Sequence, residues 1–277
     1  MASESARDQT FPHDYRLICA GREVPTVVGG QAVELWAINY LAEGDTDLRS
    51  DQFGSKDLDI LAEKKVIDYL KTVPGWTFKP NDSRSWTDSR KGFLHSTSED
   101  GRKLLVEVLH RVHGLEEADF AHVETIEHQG NNYRLLDPIV MLKAKAANVR
   151  DITQDGNPPR HDRIHLQLIA RCVPLYLRGI HDGAVADPSM EKEAMAIVSR
   201  AFKTLQNSKT AQTLQREGII PASLIPQEFA ESPLPRVRTA YEWQYKKLLG
   251  ARAEQPTDTP RTEAPKNVES LRSRTKL

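Results

Sequence analysis

Short apolar runs bounded by glycine, proline and acidic residues fill the first half of the chain, while apolar residues spaced by three and four fill the second. The first pattern predicts strands with helices between them, and the second predicts a set of amphipathic helices. Val24-Pro-Thr-Val-Val28 predicts a strand running into Gly29-Gly30, after which Val33, Trp36, Ala37, Tyr40 and Leu41 form one stripe of a helix over 31–41. A polar loop over 42–53 leads to a strand at Asp57–Leu61 and a helical pattern over 63–73, stopped by Pro74-Gly75. Residues 76–92 read as irregular. Strands follow at 92–96 and 103–109, joined by a hairpin-type turn, Ser98-Glu-Asp-Gly101. The stretch 115–132 shows no regular period.

From Leu135 the period is helical. Asp137 is placed to cap a helix that starts with Pro138 and runs to 150, and a second helix is predicted over 160–173. Further helices are predicted at about 189–206, 209–217 and 238–249. Residues 251–277 are rich in Pro, Thr and charge with few apolar side chains, the composition of a disordered tail, and 1–10 read as a flexible start. The resulting expectation is an α/β (α+β) protein. Its core, 11–135, has a mixed sheet of four or five strands, and a helical domain over 136–250 follows.

Composition narrows the function classes. A hydrophobic fraction of 39% supports a real core, and a net charge of -1 gives no global positive field, so any nucleic-acid contact has to be local. Cys19 and Cys172 are far apart, with neither disulfide-framework nor zinc-ribbon spacing, and read as buried thiols of a reducing cytoplasm. The first ten residues lack an apolar signal core, and no stretch approaches the roughly 18 apolar residues of a spanning helix, so a soluble, cytoplasmic protein without membrane partners is expected.

The chemistry gathers at three places. Asp57 and Asp59, separated by one apolar residue at a strand start, fall on one face of that strand. Two anions pointing the same way repel, and a hard cation such as Mg²⁺, which takes oxygen ligands, relieves the repulsion. Glu107 interrupts the apolar run 103–109, and Gly29-Gly30 lets backbone amides at a helix start approach a phosphate. Ser55, just before the acids, is a further phosphate contact or cap.

In this order, Val27-Val-Gly-Gly-Gln-Ala-Val33, Ser55-Lys-Asp-Leu-Asp-Ile60 and an acid in a later apolar strand, the chain resembles the nucleotidyltransferase superfamily related to DNA polymerase β. Leu142-Lys-Ala-Lys-Ala-Ala-Asn-Val-Arg150 with Arg160-His-Asp162 is similar to the abortive-infection (AbiEii-like) nucleotidyl transferases, and the resemblance covers about residues 20–175. It implies a Mg²⁺-dependent transfer of NMP from an NTP to an acceptor hydroxyl. Asp57, Asp59 and Glu107 would then hold the metal, and Gly29, Gly30 and Ser55 the triphosphate. Lys143 would reach phosphate, and Asp162 would hold that lysine or an acceptor group in place. The acceptor could be tRNA, a protein hydroxyl or a small molecule, and the resemblance implies a toxin-like role in defence with a neutralising antitoxin partner. The chain departs from the family in a longer spacing between the glycines and Asp57, and in having Glu rather than Asp as third acid. Lys145 competes with Lys143 for the lysine role, two residues along a helix and so on another face.

Two other classes stay open on the sequence. One is a non-catalytic binding module that keeps the fold. The other is a zinc or iron hydrolase using His161 and His165, at i and i+4, or His110 and His113 after Glu107. Plain structural roles are available to each residue: a tight turn for the glycines, solvated faces for Glu107 and Lys143. The four tryptophans are too scattered in sequence to suggest a stacking platform.

Overall fold

The computed structural model describes residues 23–41, 57–82, 88–98, 101, 103–155 and 160–250, together with Tyr15, Ile18 and Cys19. Ser55, the loop 42–53, the start 1–10 and the tail 251–277 lie outside the described residues, as does the side chain of Asp57.

The chain is a mixed α/β protein built, among the described residues, on one seven-stranded mixed sheet, with helices making up the C-terminal half. The strands are β1 (Thr26–Val28), β2 (Asp57–Leu61), β3 (Thr77–Pro80), β4 (Arg90–Thr97), β5 (Lys103–Leu109), β6 (Val123–His128) and β7 (Asn131–Leu136). Their order across the sheet is β3-β4-β5-β2-β1-β7-β6. Helix α1 (Gly29–Tyr40) follows β1 without a loop, and α2 (Lys64–Leu70) follows β2. The helical half comprises α3 (Pro138–Asp151), α4 (Asp162–Ala186), α5 (Glu191–Gln206), α6 (Ser208–Arg216) and α7 (Pro235–Gly250).

Four elements differ from expectation. The sheet has seven strands rather than four or five, because β3 forms within the stretch that reads as irregular and β6 with β7 forms a hairpin across the stretch without a period. Helix α4 starts at Asp162 and runs through Pro174 to Ala186 instead of ending near 173. A proline inside a helix removes one backbone bond, and here tertiary burial outweighs that loss: Leu166, Ile169, Cys172, Val173 and Leu177 are almost fully buried.

The register divides the sheet into two faces. Val27, Leu58, Ile60, Leu94, Val106, Val108, Tyr133 and Leu135 alternate onto one face, and all are fully buried. The opposite face carries Thr26, Asp59, Leu61, Glu107, Phe93 and Arg134, all half-buried or exposed. This second face is open around Asp59, Glu107 and Arg134, whereas Val28, Leu109 and Leu136 on it are buried. Buried Cys19 and Cys172 carry free thiols that burial pushes up to about 12.

Candidate functional site

Parallel pairing of β2 with β5 puts Asp59 directly beside Glu107, and antiparallel pairing of β1 with β2 puts Val28 beside Asp59. Neighbouring strands lie about 4.8 Å apart, so two carboxylates in register on one face form a close like-charged pair. Gly29 completes the cluster. Its φ is +71°, and a Cβ there would sit 2.1 Å from Asp59 Oδ2, so only glycine fits between the strand end and the acid. Helix α1 begins at this glycine without a side-chain cap and without an acid in its first turn. The first amides of a helix favour an anion, and the Asp59 carboxylate stands at this one.

The sequence expectation of three metal-holding acids meets two described side chains. Asp57 opens β2 with its backbone paired to Leu105, two residues before Asp59, and its side chain lies outside the described residues. Among the described residues no group of three or more His, Cys, Asp or Glu is arranged to hold a metal ion. The donor set of Asp59 and Glu107 is all oxygen, which suits Mg²⁺ and not a thiophilic metal. Arg90 on β4 is a member of the cluster that the sequence does not reveal. Its Nη1 lies 3.8 Å from Glu107 Oε1, while its Nε and Nη2 bond Asp88 at 2.8 and 3.1 Å. Nothing in the sequence spacing joins Arg90 to Glu107; only the β4–β5 pairing does.

The helical residues of the expected site gather elsewhere. Asp162 holds Lys145, not Lys143: Lys145 Nζ donates to Asp162 Oδ1 at 2.9 Å, Asn148 Nδ2 donates to the same oxygen at 3.1 Å, and Arg160 Nε donates to Oδ2 at 2.7 Å. Lys143 instead bonds Asp119 at 2.7 Å. Two residues along a helix turn by about 200°, which sends the two lysines to different partners. Burial pushes the Asp162 carboxyl up, and the opposing effect of Lys145, Asn148 and Arg160 wins, holding it well below the usual carboxylate range.

His165 completes that buried group. Its ring is 5% exposed, and neither ring nitrogen meets a hydrogen-bond partner among the described residues. Burial first, then the charge of Lys145, lowers it to about 3, so the ring is neutral at pH 7. The other expected histidines disperse: His113 pairs with Asp151 at 3.0 Å, and His110 is exposed at the end of β5. The histidine metal site of the third reading therefore does not assemble among the described residues. A Ser-His-Asp arrangement at Ser232, His181 and Asp182 is also inert, since Ser232 is fully buried and accepts the Leu234 N–H.

No family model matches the sequence, and no curated protein matches it. One solved structure with a similar arrangement is an antigenic nucleotidyltransferase-like protein from Paracoccidioides brasiliensis, with TM-score 0.34, 17% identity, and coverage of 55% of this chain and 67% of that one. The likeness is too slight to bear on function. Among the described residues no helix is long and apolar enough to cross a membrane.

Proposed function

We propose that the chain is a Mg²⁺-dependent nucleotidyltransferase that moves NMP from an NTP to an acceptor hydroxyl. The observation that carries this reading is the register: Asp59 and Glu107 stand side by side on the open sheet face, with Gly29 pressed against Asp59 at the start of helix α1. Two adjacent carboxylates repel, and a cation bound by both lowers that cost. A phosphate-approaching helix start beside them supplies the second half of a nucleotide site.

Mg²⁺ bound by Asp59, Glu107 and Asp57 would neutralise charge building up on the phosphoryl oxygens. The protein's own work is positioning. Gly29 leaves room for the Asp59 carboxylate at the helix start, and Asp59 is held in the middle of β2 by the β1 and β5 pairings. Transfer to the acceptor releases pyrophosphate, and the reaction asks for alignment and charge compensation more than covalent chemistry. The toxin-like role, with its antitoxin partner, is proposed from the sequence resemblance alone.

A second reading is a non-catalytic module of the same fold. Arg90 favours it, because a guanidinium 3.8 Å from Glu107 compensates that acid without any metal. The two readings separate in one experiment: NTP binding with and without Mg²⁺, for the unaltered chain and for Asp59→Asn. The enzyme reading expects Mg²⁺-dependent binding that Asp59→Asn loses. Binding insensitive to both supports the module.

A further inference from the structure

Strand alternation carries the open face past the two acids. Leu61 lies two residues beyond Asp59 and Leu109 two residues beyond Glu107, about 7 Å further along their strands on the same face. Together with Thr26 they line a cavity of about 310 Å³. Among the described residues its rim is basic: Lys65, Lys91, Arg134 and His110 line it together with the acid Glu63, and Lys65 Nζ lies 3.7 Å from Glu23 Oε2. Lys91 is anchored by donating to the Ala62 carbonyl at 2.8 Å, and the Arg134 guanidinium reaches the Val24 carbonyl at 3.5 Å. Each of these groups keeps further N–H donors for a ligand.

We propose that this cavity is the acceptor subsite, and that its cations select an acceptor bearing phosphate next to its hydroxyl, as the 3′ end of an oligoribonucleotide does. The inference rests on the nucleotidyltransferase reading and decides among its acceptors. In a chain with net charge -1, Lys65, Lys91 and Arg134 ring one hollow beside its carboxylates; Glu23 balances Lys65 in part, which leaves Lys91 and Arg134 as the main cations. A cationic small-molecule acceptor would be repelled there, and a neutral protein hydroxyl would draw no advantage from them. The volume is at the small end of small-ligand cavities, enough for a terminal unit with the rest of the strand running over the surface. The phosphate contacts would be sequence-independent and salt-dependent.

The test is anisotropy of a 5′-labelled oligoribonucleotide hexamer with a free 3′ hydroxyl, titrated with the full chain at several salt concentrations. Variants are Lys65→Gln/Lys91→Gln/Arg134→Gln, and a control with equal charge change on exposed lysines elsewhere, Lys192→Gln/Lys209→Gln/Lys246→Gln. The proposal expects the cavity variant to lose about tenfold or more in affinity and to flatten the salt dependence by about two to three ions, with the control changing little. Circular dichroism checks that the variants are folded. A hexamer that binds equally well to both variants overturns the proposal. So does a hexamer that fails to bind the unaltered chain while Mg²⁺-dependent NTP binding is present, which leaves the nucleotidyltransferase reading standing. Nucleoside 5′-monophosphate as competitor separates a single phosphate from a strand: competition shows that the terminal unit occupies the cavity, and its absence at millimolar concentration contradicts that placement. Failure of both NTP and hexamer binding overturns both readings.

Discussion

At the scale of single residues, the site is a balance of charge and space around Asp59. Asp59→Asn removes one of the two carboxylates that would hold Mg²⁺, so the chain should lose its response to the ion. Mg²⁺ should raise the melting temperature of the unaltered chain and leave Asp59→Asn unmoved, by linkage to the folded state. Thermal melts with and without Mg²⁺ check both statements, and an equal shift in the two proteins would contradict them. Gly29→Ala has a different signature. The residue sits at φ +71° and its new Cβ would meet the Asp59 carboxylate at 2.1 Å. Left-handed strain of about 1–2 kcal/mol therefore adds to a displaced acid. Denaturant unfolding should show at least that loss, and Mg²⁺-dependent NTP binding should weaken with it.

At the scale of elements, legibility followed local chemistry. Strands β2 and β5 are readable because their apolar runs are bounded by turn signals, and helix α3 because Asp137 and Pro138 mark its start; the Asp137 side chain does accept the Val140 N–H at 2.9 Å. The β6–β7 hairpin escapes because its residues, VETIEH and NNYRLL, are mostly polar and its turn lacks the usual Asn-Gly pair. Gln129 takes the left-handed position instead, at φ 51°, followed by Gly130 at φ 72°. Both central residues at positive φ define a type I′ turn, where asparagine is favoured. Gln129→Asn should stabilise the protein by up to about 1 kcal/mol, read as a higher denaturant midpoint; a lower midpoint would argue against this turn. The candidate site divides in the same way. Gly29, Asp59 and Glu107 are visible in sequence and meet through strand pairing, whereas Arg90 and Arg134 join the open face only through β4 and the unforeseen β7. The lysine of the Asp162 pair was ambiguous between two residues, and only helix packing selects Lys145.

At the scale of the whole molecule, the buried group between α3 and α4 governs behaviour in acid. The folded pKa values of Asp162 and His165 are both depressed, so the unfolded chain binds more protons and stability rises with pH. For His165 the contribution is complete above its unfolded value near about 6.5. It is lost as pH falls toward about 3. Asp162 adds a further loss below its unfolded value near about 4. His165→Leu leaves no hydrogen bond broken, because neither ring nitrogen has a partner among the described residues. It should therefore flatten the fall in melting temperature between pH 7 and pH 4.5 without lowering stability at pH 7. His122, also depressed by burial and by Arg200, accounts for part of the slope that remains. An unchanged pH profile in His165→Leu would contradict this assignment.

The most direct measurement of the central claim is transfer of label from each of the four α-labelled NTPs, with Mg²⁺, to total RNA and total protein, by the unaltered chain and by Asp59→Asn and Glu107→Gln. The account predicts label in the RNA fraction, dependent on Mg²⁺, reduced on the order of 10²- to 10³-fold by Asp59→Asn and to a lesser degree by Glu107→Gln. Label in neither fraction from folded protein, or transfer that survives Asp59→Asn, would contradict it.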